Sequence, residues 1–226
     1  MKTLYGLWIV SLGTCLCGVA VAQKGGAAAP ARAVSGSPTA AVTVPAAVVA
    51  AAVAAVDKLG SEVTRGHYAM AIERMNPLWK LRLANQTPGG MAEVLKQIEA
   101  TSKRMTQQGV SIISSVHQGA PRAFEVGPST KVEVVKGEPI EMEIFTKWLV
   151  LVPTLTKYRL LLPGDPRPVV IEKLGFQVAV SDKAQNDWTF IDGTGLTLNT
   201  LRRLYLTLPR DLELPPIEER KAAQSR

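Results

Sequence analysis

The spacing of apolar positions along the chain changes near residue 110. Before this point apolar side chains recur every three or four residues, which predicts helices. One such stripe contains Met70, Ile72, Met75, Leu78, Trp79, Leu81 and Leu83. Gly66 divides the region into a short helix over 57–65 and a second over 67–83, which Pro77 should kink or restart. The clearest helix is predicted over 91–108, where apolar and charged positions lie on opposite faces.

After residue 110 the pattern favours strands. Alternating or continuously apolar runs predict strands over 110–116, 124–126, 130–135, 141–152, 154–162, 169–181 and 188–192. Glycine, proline and asparagine separate these runs. A short late helix is expected over 199–206, and the proline-punctuated, charged tail from residue 209 should be extended or disordered. Helices first and strands afterwards predict an α+β fold with an antiparallel sheet.

The first 22 residues have the pattern of a cleavable secretory signal peptide. Lys2 is followed by a run without charge over 4–21, which three glycines interrupt and which is short for a membrane span. The run ends in Ala20-Val21-Ala22, so cleavage is predicted before Gln23. An uncleaved anchor helix is one alternative. Lipid attachment at Cys15 or Cys17 is another, although their preceding residues fit a lipoprotein signal poorly. We expect an exported protein, in the periplasm or outside the cell, with envelope association left open and no transmembrane span in the mature chain.

Composition then divides the chain. Both cysteines lie in the signal segment, so the mature chain should have no disulfide, no thiolate metal site and no cysteine nucleophile. Residues 23–43 are rich in Ala, Gly, Pro and Ser and contain no Leu, Ile, Met or aromatic side chain, which predicts a flexible linker. The Ala/Val segment behind Pro45 could be a leading helix or more linker. The predicted order is signal peptide 1–22, linker 23–56, one folded domain 57–215 and charged tail 216–226.

The formal net charge of +7 does not indicate a nucleic-acid partner. The 26 Lys and Arg residues are scattered among 19 Asp and Glu residues, and no block of five like charges occurs. A nucleic-acid interface would require clustered basic residues. A basic soluble surface is the simpler interpretation, and weak adhesion to an acidic envelope surface stays open.

Several short segments resemble the nuclear transport factor 2-like superfamily, in particular an exported bacterial subgroup of unknown function. They are the helix start 66–72, the Gly89-Gly90-Met91 entry to the long helix, the strand end Trp-Thr-Phe-Ile-Asp-Gly at 188–193 and the closing Leu-Pro segments at 208–215. The resemblance covers roughly residues 57–215. It implies a cone, with the N-terminal helices packed in the concave face of a curved antiparallel sheet. The superfamily includes isomerases, dehydratases and binding modules, so the fold does not decide the function.

The resemblance directs attention to a few polar residues that could do chemistry. Isomerase-like members use a carboxylate base opposite hydroxyl or acid donors, and Asp192 with Tyr68 would be the candidates here. Alternation places Trp188, Phe190 and Asp192 on one strand face. The simpler interpretation of Asp192, which precedes Gly193, is a turn residue that accepts backbone hydrogen bonds. His67 and His117 are expected at the surface.

No cofactor or metal is expected. Two histidines far apart do not make a metal site. Gly193-Thr194-Gly195 lacks the strand and helix context of a phosphate-binding loop, and no nucleophile-elbow motif occurs.

Binding is the favoured function class. In a cone some aromatic side chains would line the hollow, and the residues expected to bind a small apolar ligand are Tyr68, Trp79, Trp148, Trp188, Phe190 and Asp192. The run 148–152 has bulky residues on both strand faces, which suggests a homodimer through the outer face of the sheet. We therefore expect a non-enzymatic exported domain that binds a small ligand or an envelope protein. The alternatives are a small-molecule isomerase or dehydratase using Asp192, and a tethered interaction module.

Overall fold

The computed structural model describes residues 44–135, 138–161 and 167–222. The predicted signal peptide and most of the predicted linker lie outside the described residues. In chain order the elements are α1 (Ala46–Thr64), α2 (Tyr68–Glu73), α3 (Pro77–Gln86), α4 (Gly90–Gln107), β1 (Ser111–His117), β2 (Arg122–Val126), β3 (Thr130–Val135), β4 (Glu138–Glu143), β5 (Lys147–Leu160), β6 (Val169–Asp182), β7 (Thr189–Asp192), α5 (Leu198–Leu204) and β8 (Glu218–Lys221).

Helix α1 moves the predicted start of the folded domain. It is 19 residues long and includes both the Ala/Val segment and the short helix predicted from residue 57, so the boundary expected at Asp57 lies inside a helix. Its residues Ala52, Val56 and Gly60 are buried and recur every four positions. A Cβ atom on Gly60 would overlap the carbonyl oxygen of Ser115 in β1. Small side chains thus let α1 lie directly on the sheet, which composition alone could not reveal.

The remaining helices follow the predicted pattern closely. Pro77 does not kink a helix but begins α3, and Asn76 caps it by accepting hydrogen bonds from the backbone N–H groups of Leu78 and Trp79 at 3.1 and 3.3 Å. Helix α4 agrees with the predicted helix within one residue at each end. Within the described residues, none of the helices combines the length and hydrophobicity needed to cross a bilayer.

The strands confirm the α+β class with an antiparallel sheet. Six strands form one open sheet in the order β1-β5-β6-β7, with β2 also paired to β5 and β8 to β6. Strands β3 and β4 form a separate hairpin, on which Val132 and Val134 are exposed.

Strand β5 continues through Pro153, where the sequence predicted a break. Pro153 is paired with Phe176 of β6, and its carbonyl oxygen accepts a hydrogen bond from the backbone N–H of Gln118. In a strand the N–H and C=O of one residue point to the same side. The backbone N–H that proline lacks would therefore point toward the loop between β1 and β2, not toward β6. No hydrogen bond between β5 and β6 is lost at this position.

Both faces of the central strands are covered by this chain. Val150 and Val152 face the helices and pack near Ala52 and Val56; we call this side the helix face. Leu149 and Leu151 point the other way and pack with α5 and the segment that follows it; we call this side the tail face. Contacts within the chain thus explain the bulky residues on both faces of β5. The homodimer stays a prediction, and this pattern no longer supports it.

The described part of the C-terminal tail is ordered against the domain. Leu212 is buried in the tail-face cluster. Further on, β8 pairs with Ile171 to Leu174 of β6, inside the segment 216–226 that was predicted as a charged tail. Of the two alternatives predicted for the tail, extended or disordered, these residues take the extended one, since charged side chains on a solvent-facing edge strand are compatible with backbone pairing.

Candidate functional site

A cavity of about 300 Å³ lies between the four N-terminal helices and the helix face of the sheet. Every one of these helices contributes to its roof, for example through Leu59 of α1, Ile72 of α2, Leu83 of α3 and Ile98 of α4. This roof is largely apolar because each amphipathic helix turns its apolar stripe toward the sheet. The volume is at the lower end of the range of small-molecule sites.

The floor of the cavity, formed by the sheet, has several polar side chains among the apolar Ile112, Val116 and Phe190. Ser115, Thr154, Thr156, Gln177 and Asp192 line it from β1, β5, β6 and β7. Cross-strand pairing explains why they meet: Thr156 is paired with Ser115, and Gln177 with Asp192. The hydroxyl groups of Ser115 and Thr156 are 3.1 Å apart and share a hydrogen bond. The cavity therefore has one apolar side and one side able to form hydrogen bonds.

Strand β1 reaches this floor through a bulge. The pairing register with β5 shifts between Ile112 and Ser114, which leaves Ile113 as an extra residue. As a result Ile112 and Ser115, three positions apart, both line the cavity. Simple alternation would have placed them on opposite faces.

Asp192 is both a turn residue and part of the cavity wall. Its Oδ1 accepts a hydrogen bond from the backbone N–H of Thr194 at 2.7 Å, as expected of a turn aspartate. Its Oδ2 accepts a second from Gln177 Nε2 at 2.9 Å. The side chain is exposed at the cavity. Asp192 is thus a turn residue whose carboxylate also lies in the cavity wall.

Gly193 explains the end of the Trp-Thr-Phe-Ile-Asp-Gly segment. Its N–H donates to the carbonyl oxygen of Phe176 at 2.9 Å, and a Cβ atom at this position would lie 2.7 Å from that oxygen and from the Phe176 ring. A side chain is therefore excluded here, and the chain turns immediately after Asp192. This contact fixes where the carboxylate stands relative to the cavity.

Four of the six residues predicted to bind a ligand line the cavity: Tyr68, Trp79, Phe190 and Asp192. Trp148 and Trp188 do not. They lie farther along the sheet, at a shallow cleft beside the first turns of α1. There Lys183 Nζ is 4.9 Å from the centre of the Trp148 ring, and Trp188 Nε1 donates to Asn186 Oδ1 at 2.7 Å. The first half of α1 covers this end of the helix face, which separates the two tryptophans from the cavity.

The catalytic alternative is only partly assembled. Asp192 and Tyr68 line the same cavity, but no hydrogen bond joins them within the described residues. The two groups bonded to Asp192, a side-chain amide and a backbone N–H, do not exchange protons in acid–base catalysis. Among the described residues, Asp192 is therefore hydrogen-bonded to no side chain that could pass a proton on.

The two histidines lie at the surface, as expected. His67 Nδ1 is 2.6 Å from Glu62, and His117 Nδ1 is 2.6 Å from Asp57, so each is paired with a carboxylate of α1. His117 also donates its backbone N–H to Asp57 at 2.7 Å, which ties the end of β1 to α1. In the part of the chain that the structure describes, no group of three or more His, Cys, Asp or Glu residues could hold a metal ion.

Sequence reasoning missed the polar floor. Ser115, Thr154, Thr156 and Gln177 lie in predicted strands, and the alternating Thr154 and Thr156 were a usable signal for one polar face. Their significance depended on knowing that this face is turned toward the helices, which no local pattern shows. No protein-family model, curated protein or solved structure matches the chain, so the function has to be argued from this geometry.

Proposed function

We propose that the chain is an exported, non-enzymatic binding protein whose cavity takes one small, largely apolar ligand. The observation that carries this proposal is the cavity of about 300 Å³ with an apolar roof and a hydrogen-bonding floor. Burial of apolar ligand surface under the roof would provide most of the affinity, and the floor would orient the ligand.

A nuclear transport factor 2-like cone is part of the same proposal. It is supported by helices packed on one face of an antiparallel sheet, with a cavity between the two layers. In such a fold the hollow between helices and sheet is the natural place for a ligand.

The cavity can be tested with the neutral fluorescent probe N-phenyl-1-naphthylamine. We expect saturable binding of one probe molecule per chain, with energy transfer from Trp79, which lines the cavity. Ile98→Trp should fill the cavity and weaken binding about tenfold or more, on the scale of a lost apolar contact area. Leu95→Trp is the matched control, since Leu95 lies on the same helix, is exposed and does not line the cavity.

Thermal unfolding of both variants should show that they fold. Absence of saturable binding to the natural chain, or equal binding by the two tryptophan variants, would contradict a ligand site in this cavity.

Export is proposed from the signal pattern of residues 1–22. Expression with the complete N-terminus in a secreting host should give a mature chain that begins at Gln23, as measured by intact mass. A mass that includes residues 1–22 would instead support the uncleaved anchor.

An isomerase or dehydratase is the second candidate, because Asp192 and Tyr68 line one cavity. Testing for an enzyme requires that a molecule that binds the cavity is identified beforehand. Conversion of that molecule by the natural chain, with binding but no conversion by Asp192→Asn, would favour an enzyme over a binding protein.

A further inference from the structure

The cavity carries charge of one sign. Among the described residues that line it, Asp192 is the one with an acidic or basic side chain that is charged at neutral pH. The others are apolar, or neutral side chains such as Thr154, Gln177 and Tyr68. The position of Asp192 at the floor therefore makes one end of an otherwise neutral cavity negative.

Among the described residues, no cationic side chain forms an ion pair with the Asp192 carboxylate. Its two hydrogen-bond donors, Gln177 Nε2 and the backbone N–H of Thr194, are both neutral. An ionised carboxylate has about four acceptor positions, so about two are left for another donor.

One basic group, Lys173, lies beside the turn that follows Asp192 but is bonded to another acceptor. Lys173 Nζ donates to the hydroxyl oxygen of Thr194 at 3.1 Å, and Lys173 does not line the cavity. Its pairing with Thr156 of β5 puts Lys173 on the helix face, beside Thr194, and its ammonium group is bonded to the Thr194 hydroxyl rather than to Asp192.

An aromatic residue lines the cavity on the same strand face as Asp192. Phe190 is two residues before Asp192 on β7, points to the same face and also lines the cavity. The face of an aromatic ring attracts a cation, and a partly desolvated ammonium group gains more from this contact than one in water. The negative charge of Asp192 would repel a carboxylate ligand at this position.

We infer that the ligand of this cavity is an apolar molecule with a protonated amine at one end, which Asp192 binds. The inference rests on the proposed function, because it assumes that the cavity is a ligand site. The apolar body lies under the helical roof, and the ammonium group donates to the free acceptor positions of Asp192. Charged donors and acceptors form stronger hydrogen bonds than neutral pairs, so an amine is selected over an alcohol of the same length.

The test compares three probes of equal chain length at pH 7: decylamine, 1-decanol and decanoate. Each is used to displace N-phenyl-1-naphthylamine from the full chain at low salt. We expect decylamine to displace the probe at a concentration about tenfold lower than 1-decanol, and decanoate to be the weakest. The amine forms an ion pair with Asp192, the alcohol forms a neutral hydrogen bond, and the carboxylate is repelled.

Asp192→Asn should remove the preference. Asparagine can still accept the turn hydrogen bond from Thr194, so the variant should fold, and decylamine should become no better than 1-decanol. Asp211→Asn is the matched control, since Asp211 is exposed and does not line the cavity, and it should keep the preference.

If Asp192→Asn does not fold, the salt dependence of binding to the natural chain tests the amine inference instead. Raising the ionic strength from about 0.05 to 0.5 M should weaken decylamine binding several-fold and leave 1-decanol unchanged, because salt screens the exposed carboxylate. Displacement by 1-decanol that equals or exceeds displacement by decylamine overturns the amine inference and leaves the apolar-ligand function intact. Failure of the fluorescent probe itself to bind the cavity overturns both.

Discussion

At the scale of single residues, a buried asparagine joins three parts of the fold. Asn76 caps α3 with its Oδ1, and its Nδ2 donates to Thr189 Oγ1 at 3.1 Å and to the Tyr205 hydroxyl at 3.0 Å. Its backbone N–H donates to Phe190 at 2.8 Å. The side chain is buried, so each lost partner would leave a polar group without water. The Asn-Pro pair was a readable capping signal, but the long-range partners 113 and 129 residues away were not.

Replacing Asn76 with alanine should lower the free energy of unfolding by about 2–3 kcal/mol, because both the cap and the buried hydrogen bonds are lost. Urea unfolding followed by far-ultraviolet circular dichroism measures this change. Asn85→Ala is the control, since Asn85 is exposed within the same helix and should change stability by about 0.5 kcal/mol or less. Equal effects at the two positions would mean that Asn76 acts only through helix propensity.

Tyr205, the partner of Asn76, should make stability depend on alkaline pH. Burial raises the pKa of Tyr205 to about 12, whereas the phenol of an unfolded chain ionises at about pH 10. Its contribution is therefore complete below about pH 10 and is lost as the pH rises through about 12. Between these pH values the free energy of unfolding, measured with urea, should fall on the order of 2 kcal/mol more in the natural chain than in the Tyr205→Phe variant. The same loss in the variant would contradict the assignment to Tyr205. Tyr158 also has a pKa raised to about 12, by burial and by the adjacent Glu219, so part of the slope should persist.

At the scale of elements, α1 is placed by the smallness of its side chains. Gly60 and Ala52 bring the helix axis close to the sheet, and Gly60 contacts the backbone of β1 at Ser115. The Ala/Val pattern permitted a helix but gave no reason to choose between a leading helix and a linker. The choice depends on the backbone approach to β1, which is a property of the packed pair.

Gly60→Ala tests this packing by the sign of its effect. Helix propensity alone would make alanine more stable than glycine by about 1 kcal/mol. Overlap with the Ser115 carbonyl should instead destabilise the chain by about 1–3 kcal/mol. The reverse change Ala54→Gly, at an exposed position of α1, measures the propensity term by itself. A stabilised Gly60→Ala variant would show that α1 does not lie against β1 as described.

At the scale of the whole molecule, the chain uses its own C-terminal segment to cover the tail face. Leu201, Leu208 and Leu212 pack there with Leu149 and Leu151. The sequence predicted apolar residues on both faces of β5 but not what would cover the second face. A partner subunit and a distant segment of the same chain produce the same local pattern, because both bury the same side chains.

Two truncations should separate these roles of the C-terminal segment. Removal of residues 216–226 deletes β8 but keeps the tail-face cluster, so the chain should keep the oligomeric state of the full protein. Removal from residue 198 onward exposes Leu149 and Leu151 and should cause self-association. Size-exclusion chromatography with light scattering measures the masses. If the longer deletion has the same number of subunits per particle as the full chain, the tail face does not need to be covered.

The sequence by itself determined the elements whose signal is local. The periodicity of α4, the change from helices to strands, an interruption of the helical pattern at Pro77 and the shared face of Phe190 and Asp192 all follow from the local sequence. Only the tertiary structure decided how these elements meet. It joined α1 to the domain, carried β5 through Pro153 and separated Trp148 and Trp188 from the cavity. These outcomes depend on strand register and on contacts between distant residues, and a local pattern contains neither.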